Sequence, residues 1–245
     1  MSLDNTQNMS PEDAGQALIG ALTSGDYDYC AELITGGADL NQHGGRTDAT
    51  PLMVAAALDT AVLLQDMIAH GADIHATNNR GQTALMCAAH HPKGYLSLEI
   101  LADQDGAKLD AQDHNGDTAL TLAVRAQKRA GSKYLIMAGA DIHTPNRNGD
   151  TALTLAAVHK DMLPIVRILV KKGAHIDTQN NDGQTALDIA RIVGNAEVAD
   201  FLEKEKERVL TNAMRKAADR GTTRAWRVIR PGTKDKVRGN THEPR

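Results

Sequence analysis

The chain has 245 residues, of which 41% are hydrophobic, 24% are charged and only 2% are aromatic. These proportions are typical of a soluble globular protein, and they exclude a chain too polar to form a core. Because aromatic side chains supply much of the buried area of a conventional thick core, their scarcity favours thin layers of closely packed helices. The net charge of −4 is unevenly divided: residues 208–245 hold 11 Lys and Arg against 3 Asp and Glu, so an acidic body carries a basic C-terminal segment.

Cysteine content and hydropathy bear on the cellular compartment. Two cysteines, Cys30 and Cys87, are too few for a disulfide framework or a zinc cluster, and we interpret them as buried thiols in a reducing environment. The first 25 residues lack the basic and apolar regions of a secretory signal, and no run of 18 apolar residues is present. We therefore expect a cytoplasmic protein with no membrane span and no cofactor, monomeric when alone.

The first predicted element is a helix that begins after Ser10. The residues Ser10-Pro11-Glu12-Asp13 have the form of a capping box, with proline at the first helical position. We predict that residues 1–9 are disordered and that this helix opens an N-terminal capping repeat at residues 10–44.

Two sequence markers then recur in step along the chain, which is typical of a repeat architecture. One is a Thr-Ala-Leu or Thr-Pro-Leu triplet, spaced by 33, 35, 33 and 34 residues, and the other is a Gly-Ala pair, spaced by 34, 35, 33 and 34 residues. The stretch NGDTALTLA occurs twice, at residues 115–123 and 148–156. The triplets begin at Thr50, Thr83, Thr118, Thr151 and Thr185, and the pairs at Gly37, Gly71, Gly106, Gly139 and Gly173.

The residues around each triplet predict a pair of helices. Each threonine precedes an apolar run and can cap a helix by accepting a hydrogen bond from a backbone N–H. Leu85, Ala88 and Ala89 lie on one apolar stripe, in which the small alanines let neighbouring helices approach closely. A second apolar run follows, for example PIVRILVKKG, and Asn-Gly or Asp-Gly pairs supply a tight turn before the next unit. Each unit is predicted to be turn, helix, turn, helix, and it must stack on its neighbours to bury its apolar face.

These motifs resemble the ankyrin-repeat family. GQTALMCAA followed by GAKLD, and GDTALTLAA followed by GAHID, match the family pattern G-x-T-P-L-H-x-A-A … G-A-D-h-N, in which h is hydrophobic. The match covers roughly residues 11–202, although the proline survives only at Pro51 and the usual histidine after Leu is absent. The resemblance implies an all-α repeat solenoid of stacked helix-turn-helix repeats with β-hairpin-type loops, capped at both ends.

The markers divide the chain into six repeats, one of which is expected to be weak. In the second helix of repeat 4, Gly131 and Ser132 lie where repeat 5 carries Ile165 and Val166, and glycine in a helix interior costs about 1 kcal/mol relative to alanine. Repeat 1 is the capping repeat, and repeats 2 to 6 are predicted at residues 45–78, 79–113, 114–146, 147–180 and 181–207.

The segment after repeat 6 has two interpretations. Residues 208–232 show a helix–Gly–helix rhythm around Gly221 and are predicted to form a divergent helical cap, docked by Trp226, Val228 and Ile229, with a basic tail at residues 233–245. The alternative is a single charged helix that runs into a disordered tail.

The resemblance to ankyrin repeats implies a non-enzymatic module that binds a partner protein in a concave groove, as a scaffold, a sequestering protein or an inhibitor. A bacterial effector or an immunity-type protein is one form of this function. The groove of such a module is formed by hairpin tips and by the exposed end of each first helix. In this chain those positions are Arg46, Asn79, Arg80, Gln82, His90, His91, His114, Asn115, Asp117, Arg125, Arg147, Asn148, Asp150, His159 and Gln184.

Signatures of other chemistry are weak or absent. The sequence has no P-loop, no G-x-S-x-G and no H-E-x-x-H motif, so we do not predict an enzyme. Cys87, His90 and His91 are close in sequence, but no fourth ligand has a fitting spacing, so we predict no metal site.

A nucleic-acid-associated protein is the alternative function. The basic segment could contact phosphates, whether of nucleic acid or of an acidic partner, although a single Trp gives little aromatic stacking and the rest of the chain is acidic. Four arginines in this segment are spaced to form one stripe on a helix: Arg220, Arg224, Arg227 and Arg230.

Overall fold

A computed structural model describes residues 9–219 of the chain, with side chains to residue 216. Within that range it contains twelve α-helices and no strand longer than an isolated bridge between Gly44 and Ala49. The helices are α1 (Pro11–Ser24), α2 (Tyr27–Thr35), α3 (Pro51–Leu58), α4 (Ala61–Ala69), α5 (Ala84–His90), α6 (Tyr95–Ala102), α7 (Ala119–Arg125), α8 (Arg129–Ala138), α9 (Ala152–Ala157), α10 (Leu163–Lys171), α11 (Ala186–Ile192) and α12 (Ala196–Asp219). A single 3₁₀ turn, Lys160–Met162, precedes α10.

The threonine of every triplet caps the first helix of its repeat, as predicted. In each case the side chain accepts a hydrogen bond from the backbone N–H three residues later, which satisfies one donor that the helix start leaves without a partner. Ser10 does the same for α1, with Pro11 at the first helical position.

The helices stack in two rows. The first helices contact each other in the order α1, α3, α5, α7, α9, α11, and the second helices in the order α2, α4, α6, α8, α10. Small side chains permit this close spacing: Ala88 and Ala89 of α5 are almost fully buried, together with Leu85. The core is therefore a series of thin layers, one per repeat, and the predicted all-α repeat solenoid is confirmed.

Repeat 4 has the small residues at its layer that the sequence indicated. Gly131 and Ser132 of α8 are buried at the places that Ile165 and Val166 occupy in α10. The helix forms nevertheless, and the Ser132 hydroxyl is enclosed without a hydrogen-bond partner. The expected weakness of this helix stays a prediction.

The C-terminal end differs from the predicted cap. Helix α12 runs for 24 residues without interruption, so no separate helix begins near Val209. The sequence from residue 203 to 216 is rich in Glu, Lys and Arg, which sustain a helix without needing burial, and Val209 and Leu210 are exposed. The second helix of the predicted cap, with Trp226, lies outside the described residues.

The chain forms two compact units, Met1–Asp200 and Phe201–Arg245. The first contains the stacked repeats, and the described part of the second is the remainder of α12. Within residues 9–219, no helix is both long enough and apolar enough to cross a membrane.

Candidate partner-binding face

The four loops that lead into repeats 3 to 6 are each built on one Asn or Asp side chain, which is buried in three of them and half-buried at Asn180. Asn78 accepts hydrogen bonds from the N–H groups of Arg80 and Gln82, at 2.9 and 3.0 Å. Its carbonyl accepts a third from the N–H of Gly81, at 2.9 Å, so the turn is fixed from within. The same pattern recurs five residues before each following cap threonine, at Asp113, Asn146 and Asn180.

Consecutive loop tips are joined by a ladder of backbone hydrogen bonds. The N–H of His114 donates to the carbonyl of Arg80, and the N–H of Arg147 donates to the carbonyl of Asn115, both at 2.9 Å. At two tips a side chain adds to the ladder: Asn79 donates to the carbonyl of Arg46 at 3.2 Å, and Asn181 to the carbonyl of Arg147 at 2.8 Å. The backbone bonds of Arg80, His114 and Arg147 do not depend on their side chains. Equivalent bonds join Asn79 to Thr47 and Asn181 to Asn148.

Glycine is required where one tip passes close to the next. Gly81 has φ +75, and a Cβ there would lie 2.7 Å from His114 Cδ2. Gly116 has the same φ, and a Cβ there would lie 2.9 Å from the backbone nitrogen of Arg147. The backbone conformation and the close approach both exclude a larger residue, which explains the Asn-Gly and Arg-Gly pairs of the sequence.

The predicted contact residues at the loop tips are exposed. They occupy the two positions three and four residues before each cap threonine, where the ladder fixes the backbone and the side chains extend into solvent. These residues are Arg46, Asn79, Arg80, His114, Asn115, Arg147 and Asn148.

The far end of each first helix adds a second row, only part of which was predicted from sequence. The position seven residues after the cap threonine is exposed at His90 and Arg125, which were predicted. The same position is occupied by Val158, 39% exposed, and Ile192, 68% exposed, which were not. The repeat spacing alone would have found them. We call the exposed tip residues and these four helix-end residues the binding face.

Asp117 is not part of the binding face, contrary to the prediction. Its side chain is completely buried, and Arg125 donates to both of its oxygens, through Nη2 at 2.8 Å and through Nη1. Asn146 and Thr121 also donate to it, at 3.1 and 3.3 Å. Asp117 and Arg125 thus form an ion pair within repeat 4, to which Asn146 of the next loop also bonds, and no surface of the carboxylate remains for another protein to reach.

The other predicted residues near the loops are partly withdrawn. Gln82, Asp150 and Gln184 are half-buried. The side chain of Asp150 accepts from Asn180 at 3.1 Å, and Gln82 donates to Asp113 at 3.4 Å, so these groups join neighbouring loops. They contribute to the loop framework first and offer only part of their surface to a partner.

The residues after the first helices lie at the turn into the second helix. His91 and His159 are half-buried there. Burial raises the pKa of the neighbouring Cys87 thiol to about 11, with Arg80 opposing the shift, so this thiol stays protonated. Among the described residues, no group of three or more His, Cys, Asp or Glu side chains is placed to hold a metal ion. The four arginines of the basic segment, Arg220, Arg224, Arg227 and Arg230, lie outside the described residues.

Comparisons with known proteins agree with this architecture. A family model described as ankyrin repeats, three copies, matches residues 52–146 and again residues 131–213. The two matches together cover more than half of the chain, and they contain every cap threonine after Thr50.

Three curated relatives are similar to parts of the chain. NF-kappa-B inhibitor delta of Mus musculus is 32% identical over 92 residues, 38% of this chain and 27% of that protein. The Neurogenic locus Notch protein of Drosophila melanogaster is 34% identical over 113 residues, 46% of this chain and 4% of that protein. The NF-kappa-B p105 subunit of Gallus gallus is 30% identical over 122 residues, 49% of this chain and 12% of that protein. The chain therefore spans about a quarter or less of the length of these relatives.

Proposed function

Because the chain belongs to the ankyrin-repeat family, we propose that it binds a partner protein through the binding face and acts by scaffolding, sequestering or inhibiting that partner. Members of this family are protein–protein interaction modules. The contact surface proposed for this chain, the tips with the ends of the first helices, is particular to its own residues.

One observation carries the proposal: the framework is constant while the exposed residues change. The cap threonine, the Asn or Asp of the loop and the backbone ladder recur from loop to loop. The side chains exposed on that framework change from each repeat to the next. At the tip position four residues before the cap they are Arg46, Asn79, His114, Arg147 and Asn181, and at the helix-end position Ala57, His90, Arg125, Val158 and Ile192.

The burial of Asp117 changes the charge expected of the partner. Sequence alone suggested a mixed face with two central carboxylates. With Asp117 enclosed and Asp150 half-buried against Asn180, the exposed side chains of the central tips include Arg80, His114 and Arg147. Such a surface fits an acidic segment of the partner, and charge complementarity of this kind mainly accelerates association and selects partners.

The C-terminal end of the binding face is apolar. Val158 and Ile192 are exposed on α9 and α11, together with Val193, which is 43% exposed. Neighbouring exposed aliphatic side chains at equivalent positions are typical of a contact surface rather than of solvated helix ends. We expect the partner to place acidic residues on repeats 3 to 5 and aliphatic residues on repeats 5 and 6.

The experiment begins with affinity purification from the native cell and continues with the captured protein in purified form. Binding is measured by calorimetry for the unchanged chain and for a variant with Arg80, His114 and Arg147 all changed to alanine. We expect the variant to bind at least tenfold more weakly, since loss of even one well-placed arginine contact costs about 1–2 kcal/mol. The fold should be retained, because the ladder uses the backbone of these residues.

A matched control changes three exposed cations outside the binding face: Lys108, Lys133 and Lys171 to alanine. This control removes three positive charges, whereas the tip variant removes two because His114 is counted as neutral. A general electrostatic effect would therefore be at least as large in the control, which separates it from local contact. Equal affinity of the tip variant and the unchanged chain would contradict the proposed surface. An equal loss of affinity in both variants would mean that the attraction to the partner is non-specific and does not depend on contact at the tips.

A further inference from the structure

A cleft of about 400 Å³ opens between repeats 3 and 4. It lies where the turn from α5 to α6 meets the turn from α7 to α8. These turns are at the opposite end of the first helices from the loop tips, and a seven-residue helix separates the two by about 10 Å. The cleft is therefore distinct from the tips, and its volume is in the range of small-molecule sites.

The start of α8 supplies hydrogen-bond donors to this cleft. The helix begins after Lys128 without a side-chain cap. The N–H groups of its first turn have no intrahelical acceptor, as at any helix start. The N–H of Ser132 donates to the carbonyl of Lys128, and the two preceding N–H groups, of Ala130 and Gly131, belong to residues that line the cleft. Such donors, at the positive end of a helix dipole, are suited to an anion.

Two cationic side chains stand beside these donors. Lys128 and Arg129 both line the cleft. The ammonium of Lys128 reaches across it and donates to the carbonyl of Pro92, at 3.4 Å. Helix α6 also begins at the cleft, after Gly94, and it too has no side-chain cap. None of the residues that line the cleft is acidic, so the charge at this place is positive.

A buried imidazole nitrogen in the same wall has no partner. His91 lines the cleft, and its Nδ1 is enclosed without a hydrogen bond. Because this nitrogen has almost no accessible surface, the half-buried ring contributes to the wall of the cleft, and its Nδ1 is closed to a ligand. Burial, followed by the positive charges of His90, Lys128 and Lys93, lowers the pKa of His91. An anion in the cleft would offset those charges.

The remaining wall is apolar. Ala88, Ala89, Leu98 and the ring of Tyr95 line it. The space exists partly because Gly131 stands where α10 has Ile165, and only the end of Leu98 approaches the missing side chain, with its Cδ1 3.3 Å from an added Cβ. The cleft thus has one cationic side rich in donors and one aliphatic and aromatic side.

We propose that this cleft binds a small organic phosphate with an apolar or aromatic body. The phosphate would be held by Lys128, Arg129 and the N–H groups at the start of α8. The body of the ligand would lie against Leu98 and Tyr95, beside the ring of His91. Charge-assisted bonds from two cations favour a dianionic head.

The test is a titration of the full chain with phenyl phosphate, followed by amide and imidazole NMR signals. We expect the largest shifts at Ala130, Gly131 and His91, a saturable response with a dissociation constant of roughly 1 mM or lower, and a rise in the pKa of His91. Inorganic phosphate should bind at least tenfold more weakly, because it lacks the apolar body, and phenol should not bind.

Two variants test the cationic side. Lys128→Met should weaken phenyl phosphate binding at least tenfold. Ala130→Glu should abolish it, and this variant should fold well because an acidic residue in the first turn of a helix is stabilising. The matched controls are Lys133→Met, on α8 but outside the cleft, and Ala130→Gln, which has the size of glutamate without its charge.

A further probe, a short peptide that contains phosphotyrosine, distinguishes two possible ligands: a phosphorylated side chain and a free small molecule. Tighter binding of the peptide than of phenyl phosphate would identify a phosphorylated side chain as the ligand, and weaker binding a free small molecule; either result supports a phosphate site. The proposal is overturned by the absence of saturable shifts up to about 10 mM. It is also overturned if Lys133→Met weakens binding as much as Lys128→Met, or if inorganic phosphate binds as tightly as phenyl phosphate.

Discussion

Repeats 4 and 5 begin with the same nine residues, at 115–123 and 148–156, and the structure uses them differently. In repeat 4 the aspartate, Asp117, is completely buried and accepts hydrogen bonds from Nη1 and Nη2 of Arg125. In repeat 5 the equivalent Asp150 is half-buried and accepts from Asn180. The residue equivalent to Arg125 is Val158, which cannot donate. A single residue outside the identical stretch thus decides whether the carboxylate belongs to the interior or to the loop surface.

The threonine four residues after each of these aspartates also differs in its contacts between the two repeats. The hydroxyls of Thr121 and Thr154 both reach the carbonyl of their cap threonine, Thr118 or Thr151, at 3.0 and 2.9 Å. Thr121 also accepts from the N–H of Thr118 at 2.8 Å and lies 3.3 Å from Asp117 Oδ1. These two additional contacts are found in the repeat whose carboxylate is paired with Arg125. The two repeats therefore provide an internal comparison in which local sequence is held constant.

The largest expected effect is on the buried ion pair. Asp117→Ala should lower the free energy of unfolding by about 2–3 kcal/mol, because it leaves Arg125 and Asn146 without this acceptor. This value is below that of a fully buried pair, since Arg125 is 39% exposed and water can reach it. The measurement is urea unfolding followed by circular dichroism.

Asp150→Ala is the matched control for this change. It removes the same side chain from the same nine residues, but only one hydrogen bond, so we expect a loss of about 1 kcal/mol or less. If the two variants lose equal stability, the ion pair in repeat 4 contributes nothing beyond an ordinary loop hydrogen bond, and the comparison fails.

The second helices should differ in local stability. Amide hydrogens in α8 should exchange about tenfold faster than those in α10, which corresponds to about 1.4 kcal/mol less protection. The reason is that Gly131 and Ser132 pack less apolar surface than Ile165 and Val166, and glycine also disfavours the helix. The comparison is made between the equivalent buried amides of Leu135 and Leu169. Equal exchange rates at this pair would show that repeat 4 is not weakened.

Much of the fold could be predicted from sequence because it rests on local chemistry repeated in register. A cap threonine, a turn glycine and an alanine stripe each act within a few residues, so their spacing specified the helix pairs. The fate of Asp117 could not be predicted in that way, since it depends on the direction of Arg125 eight residues later. Val158 and Ile192 were missed for a different reason. An aliphatic residue in a helical pattern resembles a core residue, so the residue type alone gives no sign that these two are exposed.

The C-terminal end shows a second limit of sequence patterns. The rhythm around Gly221 resembles a helix pair, but the charged residues between 203 and 216 sustain one continuous helix, α12. Helix propensity acts on every residue, whereas a degenerate repeat pattern has too few apolar positions to impose a break. The repeat architecture, which has strong markers, was therefore predicted correctly, whereas the described part of α12 follows the alternative of a single charged helix.

A smaller effect is expected from the buried hydroxyl in α8. Ser132→Ala should raise the free energy of unfolding by about 1 kcal/mol, because the hydroxyl is fully buried without a partner and alanine is the better helix former. Ser24→Ala is the control: its hydroxyl donates to the carbonyl of Ala21, so the change should stay within about 0.5 kcal/mol. A loss of stability in Ser132→Ala would mean that this hydroxyl has a partner after all.

The smallest effect concerns a hydrogen bond between Tyr134 of α8 and Asp103, the residue that follows α6. The residue equivalent to Tyr134 in α10 is Ile168, which cannot form such a bond. The hydroxyl of Tyr134 donates to the carboxylate of Asp103 at 2.6 Å. This bond, followed by burial and the charge of Asp103, raises the pKa of Tyr134 to about 12. Only the protonated phenol can donate. The hydrogen bond is therefore fully formed below about pH 10, the ordinary pKa of tyrosine, and is lost as the pH rises through about 12.

Absorbance at 295 nm follows this ionisation directly, and Tyr134→Phe assigns the step by removing it. Asp103→Asn keeps a hydrogen-bond acceptor but removes the charge, so the pKa of Tyr134 should fall toward about 10. Little change in stability at pH 7 is expected, because the contact is largely exposed and the introduced amide oxygen can still accept the bond. A Tyr134 step near pH 10 in the unchanged chain would mean that the bond is not formed in solution. In that case the Tyr134 hydrogen bond would not compensate α8 for the aliphatic packing that Ile165 and Val166 provide in α10.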